Sequence, residues 1–200
     1  MIKNSLKVLA TLCLISCGNE FGTQQELLDY LRDEDNGYRY SKSVNDVEFV
    51  VQYKSTDLLV LQEMNSQSMG MDRVAEMREK YSKFMFFNLS ISQNNKEILS
   101  EVANEEERFK QLANTLSFEI DEKIHLIAGQ KDTLAMQDFV YPKLYGMAGA
   151  TTVMVVFVRE EKYSGAKYLN FIVEDLGLGT GDVKFKIRAP ALNSEPKLRI

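Results

Sequence analysis

The chain is poor in several residue types, and each shortage excludes a class of protein. It contains no Trp, one His and two Cys in 200 residues. Sugar-binding surfaces usually stack rings on Trp, so a carbohydrate-binding module is disfavoured. A structural zinc site needs four ligands, and a lone His125 beside one Cys pair does not provide them, so no metal site is expected. With three Pro and eleven Gly, the composition is that of a folded globular protein.

A concentration of positive charge is also missing. The formal net charge is -5, and Lys and Arg are interleaved with Asp and Glu along the whole chain. Phosphate backbones are bound by clustered Lys and Arg that release counterions. The sequence therefore indicates that nucleic acid is not a partner.

The residues typical of catalytic sites lack the neighbours they need. No Gly-x-Ser-x-Gly segment occurs, and His125 stands in an apolar stretch, Ile124–Ile127, that predicts a half-exposed strand. The acidic runs Glu105-Glu106-Glu107 and Glu160-Glu161 are interpreted as solvated charges rather than as a glycosidase pair. No catalytic residue and no cofactor are expected, so the chain is predicted not to be an enzyme.

One Gly-rich segment, DLGLGTGD from Asp175 to Asp182, has two functional alternatives. A dinucleotide fingerprint lies between a strand and a helix, but here a strand follows. A calcium site needs at least six oxygens, and two Asp residues supply too few. A hairpin connection built on Gly turns is the favoured interpretation.

The first sixteen residues differ from the rest of the chain. They contain Lys3 and Lys7, no acidic residue, and an apolar stretch from Val8 to Ile15. This layout is typical of a secretory signal peptide. The stretch is too short for a transmembrane helix, which needs about 20 apolar residues. The alternatives are a buried helix of a cytosolic protein and, less favoured, a metal-binding Cys-x-x-x-Cys pair.

Leu14-Ile15-Ser16-Cys17 resembles the lipobox of bacterial lipoproteins. The resemblance implies cleavage between Ser16 and Cys17, diacylation of the Cys17 sulfur, and loss of Cys13 with the signal. Two or more acyl chains anchor a protein durably, because each buried CH₂ contributes about 0.8 kcal/mol. Loss of two Lys with the signal would make the body more acidic, which favours standing off an anionic membrane surface.

The expected organisation is a signal peptide at 1–16, a lipidated tether at 17–22 and one globular domain at 23–200. Thr23 and Glu26 form a Thr-x-x-Glu capping box, which predicts that the first helix begins there. The tether is therefore short, and the folded body is expected to sit close to the membrane.

Apolar periodicity predicts an α+β domain with an antiparallel sheet or sandwich core and helices mainly in the N-terminal half. Alternation over residues 47–53 predicts a strand, and Asp72 is a candidate helix N-cap. Three β-rich segments near the C-terminus, at 151–158, 167–175 and 182–187, predict a three-stranded antiparallel meander.

Several tyrosines lie in or next to predicted loops, where they would suit a protein interface; the alternative is that they cover a sheet edge. They are Tyr38, Tyr40, Tyr141, Tyr145, Tyr163 and Tyr168. In its general sequence character, the chain after the lipobox resembles small lipoproteins of Bacteroidota-type bacteria.

The functional expectation is a lipid-anchored envelope protein, at the periplasmic or surface face of the outer membrane. Its expected role is non-catalytic binding of an envelope protein partner, within a multi-subunit envelope or secretion apparatus. The alternative is a hydrolase or small-ligand-binding lipoprotein with an unrecognised site.

Overall fold

The computed structural model describes residues 20–64, 70–129, 132–144 and 146–200, with the side chain of Lys162 left aside. The predicted signal peptide at 1–16 and the predicted lipidation residue Cys17 lie outside the described residues.

The described residues form seven α-helices, two short 3₁₀ turns and twelve strands. The helices are α1 (Gln24–Arg32), α2 (Thr56–Met64), α3 (Met71–Ser82), α4 (Ile98–Glu101), α5 (Glu106–Phe118), α6 (Ile120–Lys123) and α7 (Ala189–Asn193). The strands are β1 (Glu20–Phe21), β2 (Arg39–Val44), β3 (Val47–Lys54), β4 (Phe84–Gln93), β5 (Lys96–Glu97), β6 (Ile124–Ala128), β7 (Asp132–Leu134), β8 (Met136–Val140), β9 (Thr151–Val158), β10 (Tyr168–Val173), β11 (Val183–Arg188) and β12 (Lys197–Leu198).

Most of the strands build two antiparallel sheets. The first has the order β2-β3-β4-β9-β8, with β5 added to β4, and the second has the order β11-β10-β6-β7. A third, small sheet pairs β1 with β12 in parallel, so that Glu20 lies opposite Lys197.

The two large sheets face each other across an aromatic core. The ring of Phe87 on β4 lies 5.5 Å from that of Phe171 on β10, and Phe157 on β9 lies 6.2 Å from Phe171. These rings and Phe185 on β11 are almost fully buried. Edge and tilted contacts of this kind add to the stabilisation from burial.

The sandwich is closed along both sides. On one side, Ala135 links β7 of the second sheet directly to β8 of the first, and its carbonyl accepts from the Val158 amide at 3.0 Å. On the other side, the Lys42 ammonium of β2 donates to the Lys184 carbonyl of β11 and lies 5.5 Å from the Phe185 ring. The two sheets are therefore connected at both pairs of neighbouring edges.

The α+β class, the antiparallel sheets and the concentration of helices in the N-terminal half are confirmed. The capping box is also present, because the Thr23 hydroxyl accepts from the Glu26 amide and the Glu26 carboxylate accepts from the Thr23 amide. The N-cap of α3 is Gly70, so the assignment of Asp72 as cap was wrong.

The predicted C-terminal meander was wrong in one of its three strands. β10 and β11 do form an antiparallel hairpin, but β9 lies in the other sheet between β4 and β8. The segment between β9 and β10 crosses from one sheet to the other. The near-continuous apolar character of β9 is explained by its position between two strands, with its faces largely buried.

The elements divide between two ends of the sandwich. At the basal end, where β3 ends and β4 begins, lie α1, α2, α3, α7 and the β1–β12 pair. At the apical end lie α4, α5, α6 and the segments 45–46, 94–95, 141–144, 146–150 and 174–182. The chain that follows Cys17 thus enters the fold at the basal end.

Candidate functional site

His125 lies on β6, half-exposed as expected, and its partner is Glu174. Its Nε2 atom lies 2.9 Å from the Glu174 carboxylate, which also pairs with the Lys123 ammonium at 3.4 Å. The hydrogen bond with His125, followed by that with Lys123, lowers the pKa of Glu174. This surface cluster joins the start of β6 to the residue after β10. In the described part of the chain, no hydroxyl or thiol nucleophile bonds to His125.

The Gly-rich loop is a hairpin connection whose backbone amides form an anion-binding concavity, and a carboxylate of the loop itself occupies that concavity. The Asp175 carboxylate accepts from the backbone amides of Leu178 at 2.9 Å, Gly179 at 3.2 Å and Gly181 at 3.3 Å. Gly179 and Gly181 have positive φ values of 72° and 61°. Such a turn directs successive amides into one concavity. Asp175 occupies the position that a phosphate would take in a phosphate-binding loop.

The acidic runs are surface ion pairs. Glu105 accepts from Arg108 at 2.9 Å, and Glu106 accepts from Lys110 at 2.7 Å, both on the exposed surface of α5. Glu160 and Glu161 lie between β9 and β10. The two acidic runs therefore lie on separate elements, which agrees with their interpretation as solvated charges.

The predicted tyrosines pack against the fold more than they project from it. Tyr38 is buried, and its hydroxyl donates to the Ala191 carbonyl at 2.9 Å; burial raises its pKa above the usual value. The Tyr40 hydroxyl donates to the Gly37 carbonyl and accepts from the Arg188 amide. The other described members, Tyr141, Tyr163 and Tyr168, are half-buried, and Tyr145 lies outside the described residues.

Two ion pairs that the sequence analysis missed organise the basal end. The first joins Asp57 at the start of α2 to Arg78 on α3 through two hydrogen bonds of 2.7 and 2.8 Å. The same pair binds both backbone groups of Leu198: the Leu198 amide donates to Asp57 at 2.7 Å, and Arg78 donates to the Leu198 carbonyl at 2.9 Å. The only sequence feature that pointed to Asp57 was its position as an acidic residue at the start of an apolar helix.

The second pair joins Arg159, just after β9, to Glu195 at 2.5 Å. Glu195 also accepts from the Tyr53 hydroxyl and from the Thr56 amide, while Arg159 donates to the Tyr53 hydroxyl at 2.6 Å and to the Leu192 carbonyl at 3.0 Å. Burial, and then the Glu195 charge, raises the pKa of Tyr53 well above its usual value. The Arg159 Nε atom is buried without an acceptor among the described residues.

These pairs line two adjoining basal cavities. The outer cavity, of about 600 Å³, lies between α2, α3 and the segment 192–197. The inner cavity, of about 290 Å³, combines apolar side chains, including Met85, Leu134 and Leu169, with charged ones, including Glu160 and Glu161. Arg159 and Leu192 border both cavities.

Among the described residues away from the chain termini, the apical end carries four of the five exposed large apolar side chains, and Met71 at the start of α3 is the fifth. The apical patch consists of Phe118 at the end of α5, Val140 at the end of β8, and Leu144 and Met147 in the next loop; their exposed fractions are 71, 45, 41 and 88%. The Lys143 ammonium lies 5.7 Å from the Phe118 ring, which places this loop beside α5. Exposed apolar groups next to each other are typical of interaction surfaces.

Within the ranges that the structure describes, no helix is long and apolar enough to span a bilayer. The same residues contain no cluster of three or more His, Cys, Asp or Glu side chains suited to a metal ion.

No protein-family model and no curated protein matches the chain. Among solved structures, it is similar to a protein of unknown function from Burkholderia pseudomallei K96243, with 11% identity, a TM-score of 0.42, and coverage of 85% of this chain and 87% of that one. A likeness at this level carries no argument about function.

Proposed function

We propose that this chain is a lipid-anchored envelope protein whose role is to bind another protein without catalysis. The supporting observation is the apical patch, because Phe118 and Met147 are the most exposed large apolar residues at the end of the sandwich opposite the tether. Burial of such a side chain contributes about 1.5–3 kcal/mol. Cys17 is the proposed anchor, at the periplasmic or surface face of the outer membrane.

The charges around the apical patch define the partner that it fits. Glu119, Asp121 and Glu122 follow Phe118 directly, and Asp121 and Glu122 are exposed. An apolar surface edged by Lys or Arg on the partner would complement them, since opposite charges at a rim steer association and fix register. The proposed partner is therefore an envelope protein with an apolar, basic-edged surface.

The anchor is tested by intact-mass analysis of the protein extracted from bacterial membranes. The expected mass is that of a chain starting at acylated Cys17, and the Cys17→Ser variant should remain unprocessed. An unprocessed Met1 terminus in the native protein would remove the anchor from the proposal.

The docking surface is tested by photo-crosslinking in cells from Met147 and, as a control, from Arg73 on the exposed surface of α3. Met147 should give one discrete adduct, and Phe118→Asp should abolish it. The purified pair should bind about tenfold or more weakly with Phe118→Asp, and more weakly in high salt. An adduct between two copies of the chain, or equal adducts from both positions, would contradict the proposal.

A further inference from the structure

The two basal cavities form a compartment that the proposed partner binding does not use. Apolar atoms supply most of the wall of each cavity, the two basal ion pairs stand in the outer one, and the cavities meet at Arg159 and Leu192. Ligand sites typically combine an apolar enclosure of this size with a few placed polar groups.

The hydrogen-bonding capacity of the outer cavity is unbalanced in favour of donors. Both oxygens of Asp57 and both of Glu195 already accept hydrogen bonds, three of them from the Tyr53 hydroxyl and the Thr56 and Leu198 amides. These two carboxylates therefore have little capacity left for a ligand donor, and the third acid of the cavity, Glu79, is largely exposed and pairs with Lys83 at 3.3 Å.

Two cationic side chains at the outer cavity have donors that are not used in hydrogen bonds within the described part of the chain. Arg78 uses Nε and Nη2 for Asp57 and Leu198, which leaves its Nη1 group without a partner among the described residues. The Lys197 ammonium, also at the outer cavity, has no hydrogen bond or ion pair within the same part of the chain. A ligand in this cavity would find free cationic donors and few free acceptors, which favours an anionic group.

The inner cavity determines the rest of the ligand. Beside Met85, Leu134 and Leu169, its wall includes Ala189 and Leu192 from the segment that closes the basal end. Charged side chains also line it: Lys83 and Arg159 pair with Glu79 and Glu195, and Glu160 and Glu161 belong to the turn after β9. An unbranched hydrocarbon chain would be enclosed there, and each buried CH₂ would contribute about 0.8 kcal/mol.

We infer that the basal cavities bind a single-chain anionic amphiphile, with its head at Arg78 and Lys197 and its chain in the inner cavity beside Ala189. This site is distinct from the apical patch, and its occupancy does not require a protein partner. The head can belong to a free acyl carboxylate or to a lipid withdrawn from a bilayer, because both present an anion on a hydrocarbon chain.

The inference is tested by isothermal titration of the full-length Cys17→Ser chain with decanoate and with decanol. Decanoate should bind saturably with one site, and decanol, which lacks the charge, should bind about tenfold or more weakly. Lys197→Gln should weaken decanoate binding by about threefold to tenfold, and Lys197→Glu should weaken it further. Lys96→Gln, at an exposed Lys of the apical end, is the matched control.

The inner cavity is tested by Ala189→Leu, which places a larger side chain in the chain-binding space, with Ala103→Leu at an exposed position as control. Decanoate affinity should fall at least about tenfold in the first variant only. Circular dichroism checks folding, and the two Lys197 variants, at an exposed residue, keep the test decisive if Ala189→Leu fails to fold.

Flotation with phosphatidylcholine vesicles, with and without the single-chain anionic lipid lysophosphatidylglycerol, separates the two sources. Binding to the anionic vesicles that decanoate competes away would assign the head to a bilayer lipid, and decanoate binding without flotation would assign it to a free amphiphile. Absence of saturable decanoate binding, or equal affinity in the wild type and the Lys197 and Ala189 variants, would overturn the inference.

Discussion

Among single residues, Asp57 and Arg78 stand out because their side chains form the backbone hydrogen bonds of Leu198 that a neighbouring strand would otherwise form. A strand partner would engage the amide and the carbonyl of this residue, and here two side chains do so. The Asp57 side chain is almost fully buried, so its charge depends on these contacts for compensation.

Asp57→Ala is expected to lower the free energy of unfolding by about 3–5 kcal/mol, because it leaves Arg78 without its counter-charge and the Leu198 amide without an acceptor. Urea denaturation followed by circular dichroism measures the loss. Glu76→Ala removes the exposed Arg73–Glu76 pair and is the matched control, with an expected loss below about 1 kcal/mol. Similar losses in the two variants would contradict the assigned role of Asp57.

Glu174 predicts a pH dependence of stability. Since its pKa is lowered in the folded state by hydrogen bonds from His125 and Lys123, its contribution is present above the pKa of the unfolded chain and is lost as the pH falls through the folded value. Glu174 is largely solvated, so Glu174→Gln should cost less than about 1 kcal/mol at pH 7. In an acid denaturation series, the difference from the wild type should begin to shrink near the ordinary Glu pKa of about 4.3 and vanish only at lower pH, below the folded pKa. A difference that persists there would assign it to packing.

At the scale of elements, one side chain accepts from several backbone amides of the connection between β10 and β11, while Asn45 and Arg108 donate to its carbonyls. Asp175 accepts from three amides of a loop in which Gly177, Gly179 and Gly181 all have positive φ. Without the carboxylate, these amides would depend on water, and the flexible glycines would lose their shared acceptor.

Asp175→Ala is therefore expected to destabilise the protein by about 1–3 kcal/mol and to speed hydrogen exchange of the Leu178, Gly179 and Gly181 amides. Asp182→Ala, at an exposed carboxylate of the same loop, is the control and should leave these amides unchanged. Since the vacated concavity keeps three convergent amides, added sulfate should stabilise Asp175→Ala more than the wild type. Equal exchange in both variants would show that Asp175 does not hold the loop.

The elements that could be predicted from the sequence were those with a local signal. Alternation identified β3 and β11, and the capping box located the start of α1. The position of β9 could not be derived, because its pairing with β4 joins residues more than 60 positions apart and leaves no local pattern.

The outer basal cavity could not be predicted from the sequence either. Its residues come from α2, α3, the end of β9 and the C-terminal segment, and neither Arg78 nor Arg159 stands in a motif. The apical patch had a partial signal, since Leu144 and Met147 are apolar residues in a stretch with neither helical nor strand periodicity. Such residues are interpretable only when the structure shows whether a core covers them.

At the scale of the whole molecule, the proposed anchor and the two surfaces lie along one axis. Two residues separate Cys17 from Glu20, so the two Cα atoms are at most about 11 Å apart, and Glu20 pairs with Lys197 beside the basal cavities. An eight-residue strand such as Val47–Lys54 spans about 26 Å, which separates the basal from the apical end. Anchoring at Cys17 would therefore hold the basal cavities against the bilayer and the apical patch away from it.

This arrangement predicts a difference in depth between two fluorophores on the lipidated protein, attached at Lys197→Cys and at Met147→Cys. The acylated sulfur of Cys17 does not react, so each label is specific. In vesicles with a headgroup-attached quencher, the label at position 197 should be quenched strongly and that at 147 weakly, because short-range quenching does not reach across the sandwich. A chain that begins at Gly18, and so lacks the signal peptide with Cys13 as well as Cys17, is labelled at the same two positions and mixed with the same vesicles to control for collisions. Equal quenching at both positions, or stronger quenching at 147, would mean that the body lies on its side or inverted, and the apical patch would then face lipid instead of a protein partner.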